Sequence, residues 1–408
     1  MVGDVPEPSH DPPSETSSAD QATPWADEPR VEFTDTGRST GIETEDIGEA
    51  GRTPFDPEQI EVHPRNPTVD LIIQRLKRDL IDLQPDFQRK SGIWNGRAQS
   101  RLIESLLLRI ALPTLYVAEE EDESWSVVDG VQRLTTIVRF VNPAAAGLEP
   151  LRLSSLEYLD RYNGSRFEDL PGRMQTRILE TELSVLVIRR GTPEEAKFNI
   201  FARINTGGQP LTRQELRHAL IPGPARAFLA KLADNDSFLK ATGHSVNPAR
   251  MAERELCLRF LAFTMTEPER YTTQDFDGFL RRTMHDINGL TDDARARLEA
   301  HFNYAMLGCE QIFGDQAFRK QFSGVTRRYP INKALFEVQA LNVAKCTPEE
   351  INALREQAST VRKAFHTLMD NPTFYDSISS GTGDADKVNY RFQSMKDLFR
   401  EVLEATNA

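Results

Sequence analysis

Trp125-Ser126-Val127-Val128-Asp129-Gly130-Val131-Gln132-Arg133-Leu134-Thr135-Thr136 sets an Asp-Gly-x-Gln-Arg turn between an apolar run and a run of helical character. The pattern predicts a strand that hands over to a helix through polar residues. Gly130 permits a tight turn, and the free N–H groups of the following helix, with the Arg133 guanidinium beside them, favour an anionic group such as a phosphate. Asp129 is then placed to hold a metal ion or a water. A second reading stays open on these residues alone, in which Asp129 caps the helix and Arg133 pairs with a surface carboxylate.

Outward from this turn the chain alternates helix and strand signals. Val69 to Leu80 carries apolar residues at helical spacing, with Leu71, Ile72, Leu76 and Leu80 on one side. Pro85 makes residues 83–89 extended. Asn95 is a predicted N-cap for a helix running to Arg109, and residues 114–118 and 125–128 read as strands. A helix continues to Phe140, and residues 183–188 form a further strand. Thr192, Pro193 and Glu195 then punctuate a helix start, and Thr212 with Glu215 forms another capping-box pair. From about residue 213 to 370 helical periodicity dominates. The predicted fold class is α+β, a mixed α/β unit followed by an α-helical one.

The formal charge of −13 over 408 residues argues against a nucleic-acid partner only until its distribution is examined. Residues 1–60 hold fifteen acidic residues and three arginines, a net −12, so the other 348 residues are near neutral at −1. A local basic face is compatible with that average. The first sixty residues are also rich in Pro, Ser, Thr and Gly, and read as a disordered acidic arm that solvates, spaces, or covers a basic groove. Cys257, Cys309 and Cys346 are far apart and lack clustered His, which supports neither a disulfide framework nor a zinc site. There is no charged-then-apolar leader and no apolar run long enough to span a membrane, so a cytoplasmic location is expected.

Three polar clusters carry candidate chemistry. The first is Phe87-Gln88-Arg89 with Arg97, Arg101 and Glu104, whose spacing puts the last three near one helix face. Glu104 could act on a metal or water and the arginines on phosphates, or Arg101 and Glu104 could form an ordinary helix ion pair. The second is Arg203-Ile204-Asn205-Thr206-Gly207-Gly208-Gln209-Pro210-Leu211-Thr212, in which Asn205 supplies donor and acceptor and the glycine pair admits a ligand, unless it simply joins two helices. The third is Gly381-Thr382-Gly383 followed by Lys387-Val388-Asn389-Tyr390-Arg391, a basic loop that touches a nucleotide or DNA backbone in one reading and is a mobile surface turn in the other.

Taken in order, Phe87-Gln88-Arg89, Trp94, Ser100-Arg101-Leu102-Ile103-Glu104-Ser105, Leu112-Pro113, Val128 to Thr136 and Phe201 to Thr212 carry a resemblance. The chain resembles the GmrSD-type N-terminal domain family, of the ParB and sulfiredoxin superfamily, found in modification-dependent restriction systems and phosphorothioate-sensing phage-defence proteins. The similarity is strong over residues 64–220 and looser beyond.

The resemblance implies a ParB-like nucleotide-binding domain, placed at 61–212 between the disordered acidic arm at 1–60 and a helical domain with a C-terminal basic loop at 213–408, both of which are read from the residues. It also implies binding and hydrolysis of a nucleoside triphosphate with Mg2+ or Mn2+. Asp129, Gly130, Gln132 and Arg133 match the family's Asp-Gly-Gln-Gln-Arg motif, while Val131 replaces its first glutamine. In that frame Asp129, Arg133 and Glu104 are catalytic, and Asp129 and Glu104 hold the metal. Gly130, Gln132, Arg89, Gln88, Arg101 and Asn205 bind the nucleotide.

Restriction proteins of this kind resemble a two-part machine with a His-Asn-His nuclease. None of the seven His here (His10, His63, His218, His244, His285, His301 and His366) sits in such a context. The effector nuclease is therefore expected in a separate chain. Expected partners are a nucleotide, DNA, an effector protein and further copies of the chain, with no membrane. The alternatives are a non-hydrolysing nucleotide- or DNA-sensing switch and a ParB-like DNA nuclease.

Overall fold

The computed structural model describes residues 30–34, 37–48, 56–83, 94–204, 211–273 and 275–407. The described structure opens with an antiparallel hairpin, β1 (Val31–Phe33) and β2 (Ser39–Glu43). There follow β3 (Val62–Arg65), α1 (Val69–Leu76), β4 (Ile81–Asp82), α2 (Gly96–Leu107), β5 (Leu115–Glu119), β6 (Trp125–Asp129), α3 (Val131–Val141), α4 (Gly172–Leu179), β7 (Val185–Ile188) and α5 (Glu194–Ile204). The remainder is helical: α6 (Arg213–Leu220), α7 (Pro224–Ala233), α8 (Asp236–Ala241), α9 (Ala252–Met265), α10 (Phe276–Asn288), α11 (Asp292–Phe313), α12 (Lys333–Lys345), α13 (Pro348–Glu356), α14 (Ala358–Met369), α15 (Pro372–Ser379) and α16 (Ala385–Asn407). The architecture is the expected α+β class, a small sheet followed by a helical region.

Five strands form the sheet in the order β3-β7-β5-β6-β4. β5 runs parallel to β7 and antiparallel to β6, β4 is parallel to β6, and β3 is antiparallel to β7. Side chains alternate across such strands, and both faces here are covered. Leu115, Val117, Val127, Val185 and Val187 face α1, α2, α3 and α4. Ala118, Val128 and Ile188 face the other way, against Phe198 and Phe201 of α5 and Leu216 and Ala219 of α6. That second core runs without a break through α9, α11 and α12 to the C-terminal helix. The division expected at residue 212 is therefore a change in composition and not a gap in packing.

Local signals explain the element ends that frame the sheet. Asn95 Oδ1 accepts Ala98 N at 2.9 Å to start α2. Thr212 and Glu215 complete their capping box, with Glu215 N donating to Thr212 Oγ1 at 3.1 Å and Thr212 N to Glu215 Oε2 at 2.6 Å. Helix α1 stops at Leu76, and Leu71, expected on its apolar side, is 47% exposed; the buried stripe is Val69, Ile72, Ile73 and Leu76. Thr192 does not cap its helix in the expected way; its hydroxyl accepts Glu61 N at 3.4 Å.

The first sixty residues are not uniformly an arm. Within them, β2 lies against the helical region, with Glu43 N donating to Ile331 O, Ile331 N to Gly41 O and Asn247 N to Thr40 O. Ile42 is fully buried. Three of the acidic side chains in this segment are counter-ions here. Glu32 pairs with Lys333 and Glu43 with Lys320, both at 2.8 Å, and Glu45 pairs with Arg259. Arg259 is fully buried and also meets Glu255 and Glu337. An interior guanidinium is tolerated only when paired and hydrogen-bonded, so the hairpin completes a buried network.

Part of the third cluster is interior, contrary to the basic-loop expectation: Thr382, Gly383, Val388 and Arg391 are buried, whereas Lys387 is half-buried and Tyr390 exposed. Thr382 is buried, and its N–H donates to Asp46 O. Arg391, with no exposed surface, donates to Glu337 at 2.7 Å, to Thr382 O at 2.8 Å and to Ser377 O at 3.2 Å. It holds the core together and offers nothing to a nucleic-acid backbone.

Candidate functional site

The Asp129–Arg133 turn forms where β6 ends and α3 begins. Gly130 has φ +92°, and a Cβ there would lie 2.1 Å from Leu115 Cδ2, so both conformation and space require glycine. No side chain caps α3, and its first N–H groups have no acceptor within the helix. Gln132 Oε1 accepts Trp94 N at 3.3 Å, which brings the start of α2 to the same place. Val131, at the position where the family motif carries glutamine, is buried in the sheet's outer core.

Asp129 and Arg133 meet each other across one helical turn, Arg133 Nη2 donating to Asp129 Oδ2 at 2.8 Å. The guanidinium also donates to Pro113 O and, at 3.2 Å, to Thr114 O. Burial lowers the Arg133 pKa and the Asp129 carboxylate works against that, so the pair holds a desolvated cation in place. Arg133 forms the polar wall of a cavity of about 90 Å³ with Leu112, Pro113, Leu115, Glu182 and Ser184. That volume is far below what a nucleotide needs, roughly 300 Å³ or more. The Asp129 side chain is 32% exposed, and its Oδ1 takes no partner among the described residues.

Glu104 lies on α2, which packs against α3. It is buried, and its oxygens accept three backbone amides: Glu157 N at 3.0 Å on Oε2, with Tyr158 N at 2.7 Å and Leu159 N at 2.8 Å on Oε1. Burial acts to raise its pKa, but the three amides and Arg101 outweigh it and hold the carboxyl below its ordinary value. Arg101 itself pairs with Glu157. Both Glu104 oxygens are engaged by the 157–159 amides, which leaves Asp129 as the carboxylate with an open oxygen. Among the described residues no cluster of three or more His, Cys, Asp or Glu could hold a metal ion.

Gln88, Arg89 and Asn205, assigned to nucleotide binding, lie outside the described residues. Trp94 and helices α5 and α6, which flank their segments, pack near the turn and β6. The structure brings Asp129, Gly130, Gln132 and Arg133 together at the turn, while Arg101 pairs with Glu157 and Glu104 accepts the 157–159 amides. Pro113 and Thr114 were not foreseen as partners of Arg133. They act through backbone carbonyls, which leave no residue-type signal.

Residues 70–222 match the family described as GmrSD restriction endonuclease, N-terminal domain. This segment is similar to the GmrSD N-terminal domain. The match runs from α1 to the end of α6, so it contains the turn and β4 to β7 and stops where the helical region continues alone. No curated protein and no solved structure matches the chain. Among the described residues, no helix is long and apolar enough to cross a membrane.

Proposed function

We propose that this chain is the nucleoside triphosphate-binding and hydrolysing component of a DNA-directed defence system, restriction or anti-phage, whose effector nuclease is a separate protein. The observation that carries the reading is the uncapped start of α3 with a half-exposed carboxylate at its mouth. The family match supports a restriction-system role.

The amides of Val131, Gln132 and Arg133 face outward from the helix start, where the helix dipole favours phosphate oxygens. Arg133, fixed by Asp129, Pro113 and Thr114, adds positive charge from beneath the turn and needs no reorganisation. With Oε1 engaged by Trp94 N, Gln132 presents its amide N–H groups to a phosphate or base. A magnesium ion, when bound, neutralises phosphate charge and is compatible with a single protein carboxylate plus phosphate oxygens; Asp129 Oδ1 fits that demand and Glu104 does not. In hydrolysis a water attacks the terminal phosphorus, the bond to the nucleoside diphosphate breaks, and Asp129 orients the water or the ion.

Phosphate release by the pure chain with each of the four triphosphates and Mg2+ tests this. Turnover lost in Asp129→Asn supports the enzyme. Stoichiometric binding without release makes the protein a nucleotide-sensing switch, a reading favoured by Val131, which is packed in the core where the motif carries glutamine. Metal-dependent DNA cleavage by the pure chain makes it a nuclease.

A further inference from the structure

Between Asp315 and Glu337 the chain carries Arg319, Lys320, Arg327, Arg328 and Lys333 and no acidic residue, in a protein of net charge −13. Most of these cations also have structural contacts, Arg328 among them, whose Nε donates to Asp315 O at 3.2 Å. Lys333 and Lys320 answer Glu32 and Glu43. Arg319 is buried and ties the loop's ends together, donating to Tyr329 O at 2.6 Å, Ser245 Oγ at 2.6 Å and Thr242 O at 3.1 Å. Arg319 also bridges to Ile331, and Asn332 N donates to Phe318 O. The loop is therefore held firmly at its base.

What projects from that base is basic and backed by rings. Residues 323–328, including Arg327 and Arg328, are exposed, and Gly324, at φ +77°, reverses the chain with open space around it. The Arg327 guanidinium lies 5.1 Å from the Tyr329 ring centroid. Tyr329 packs edge-on to Phe322 at 5.5 Å, Phe322 lies 6.2 Å from Tyr375, and Lys320 Nζ sits 4.6 Å over Tyr375. All three ring residues are half-buried. The result is a run of rings with the exposed Arg327 at one end and the buried, Glu43-paired Lys320 at the other.

We propose that the 322–329 loop, with Tyr375, is a binding site for single-stranded nucleic acid. Exposed arginines neutralise phosphates without regard to sequence, and half-buried rings stack unpaired bases. A duplex keeps its base faces covered and offers the rings nothing. The site lies on the helical region, outside residues 70–222, and stands whether or not the Asp129 turn hydrolyses a nucleotide.

The test is fluorescence anisotropy of the full-length protein with labelled oligodeoxythymidine and with a duplex of the same length, over a range of salt. The single strand is expected to bind more tightly. Arg327→Gln with Arg328→Gln weakens it about tenfold or more and flattens the log–log salt slope by about 1.4, from about 0.7 per phosphate contact. Tyr329→Leu lowers affinity and leaves the salt slope intact. Lys77→Gln with Arg78→Gln, the same change in charge on exposed residues at the end of α1, leaves binding unchanged. The proposal is overturned if the chain does not bind the single strand, if the duplex binds as well, or if the α1 pair weakens binding as much as the loop pair.

Discussion

Glu104 and Asp129 are two carboxylates that composition treats alike and that their neighbours separate. Glu104 accepts three backbone amides in the interior, whereas Asp129 keeps an oxygen open. Hydrogen bonds to a charged group are worth about 1.5–3 kcal/mol, and an amide replaces them poorly, so Glu104→Gln is expected to destabilise the protein by about 2–3 kcal/mol in urea. Turnover per folded molecule is expected to persist; lost turnover with unchanged stability would return Glu104 to the catalytic set. Because its folded pKa is lowered, the Glu104 contribution is present above the unfolded value and fades as pH falls through the folded one. The difference between wild type and variant should accordingly shrink below about pH 4.

His218, on α6, gives a second residue-scale prediction. Burial first, then Arg226 and Arg254, push its pKa down to about 2, and Arg254 Nη1 lies 3.3 Å from its Nδ1. The folded protein keeps this ring neutral while the unfolded chain takes up a proton below about pH 6.5. Stability is thus fully present above that value and lost on acidification, by about 1.4 kcal/mol per pH unit from this group. Equilibrium unfolding from pH 7 to pH 5 should show the slope in the wild type and a shallower one in His218→Gln. Parallel curves would contradict the burial of a neutral imidazole.

At the scale of elements, what was legible in the sequence is what short-range chemistry controls. The Thr212–Glu215 box, the Asn95 cap and the strands around residues 115–119 and 125–129 each depend on neighbours a few positions away. The hairpin β1–β2 was illegible for the opposite reason. Its carboxylates meet Lys320, Lys333 and Arg259 more than two hundred residues on, and a composition average has no access to such partners. Arg391 was misplaced in the same way, since its partner Glu337 is supplied by α12. Burial acts to raise the Glu45 pKa, and Arg259 and Lys333 more than reverse this. Glu45→Gln is expected to cost about 2–4 kcal/mol, short of a fully broken buried pair because Glu255 and Glu337 still face Arg259. A change below about 0.5 kcal/mol in thermal or urea unfolding, the range of ordinary surface substitutions, would contradict the hairpin's role.

At the scale of the molecule, one continuous core joins the sheet's second face to the C-terminal helix. A fragment of residues 61–212 would expose Val128, Ile188 and Phe201, which α6 and the helices beyond it cover in the intact chain. Apolar patches of that kind cause association, so the fragment is expected to aggregate and to lack a cooperative transition, while the full chain keeps one. A soluble fragment with its own sharp transition would restore the boundary at 212 as a true domain limit.

The same continuity bears on the site, since the turn between β6 and α3 lies at the edge of the sheet that the helical region buttresses. Phosphate release by the full chain with Mg2+ and the four nucleoside triphosphates, in wild type and Asp129→Asn, measures the central claim most directly. The account predicts magnesium-dependent release with at least one triphosphate and its loss in Asp129→Asn protein that is still folded at the assay temperature. No release and no thermal shift with any of the four would contradict it.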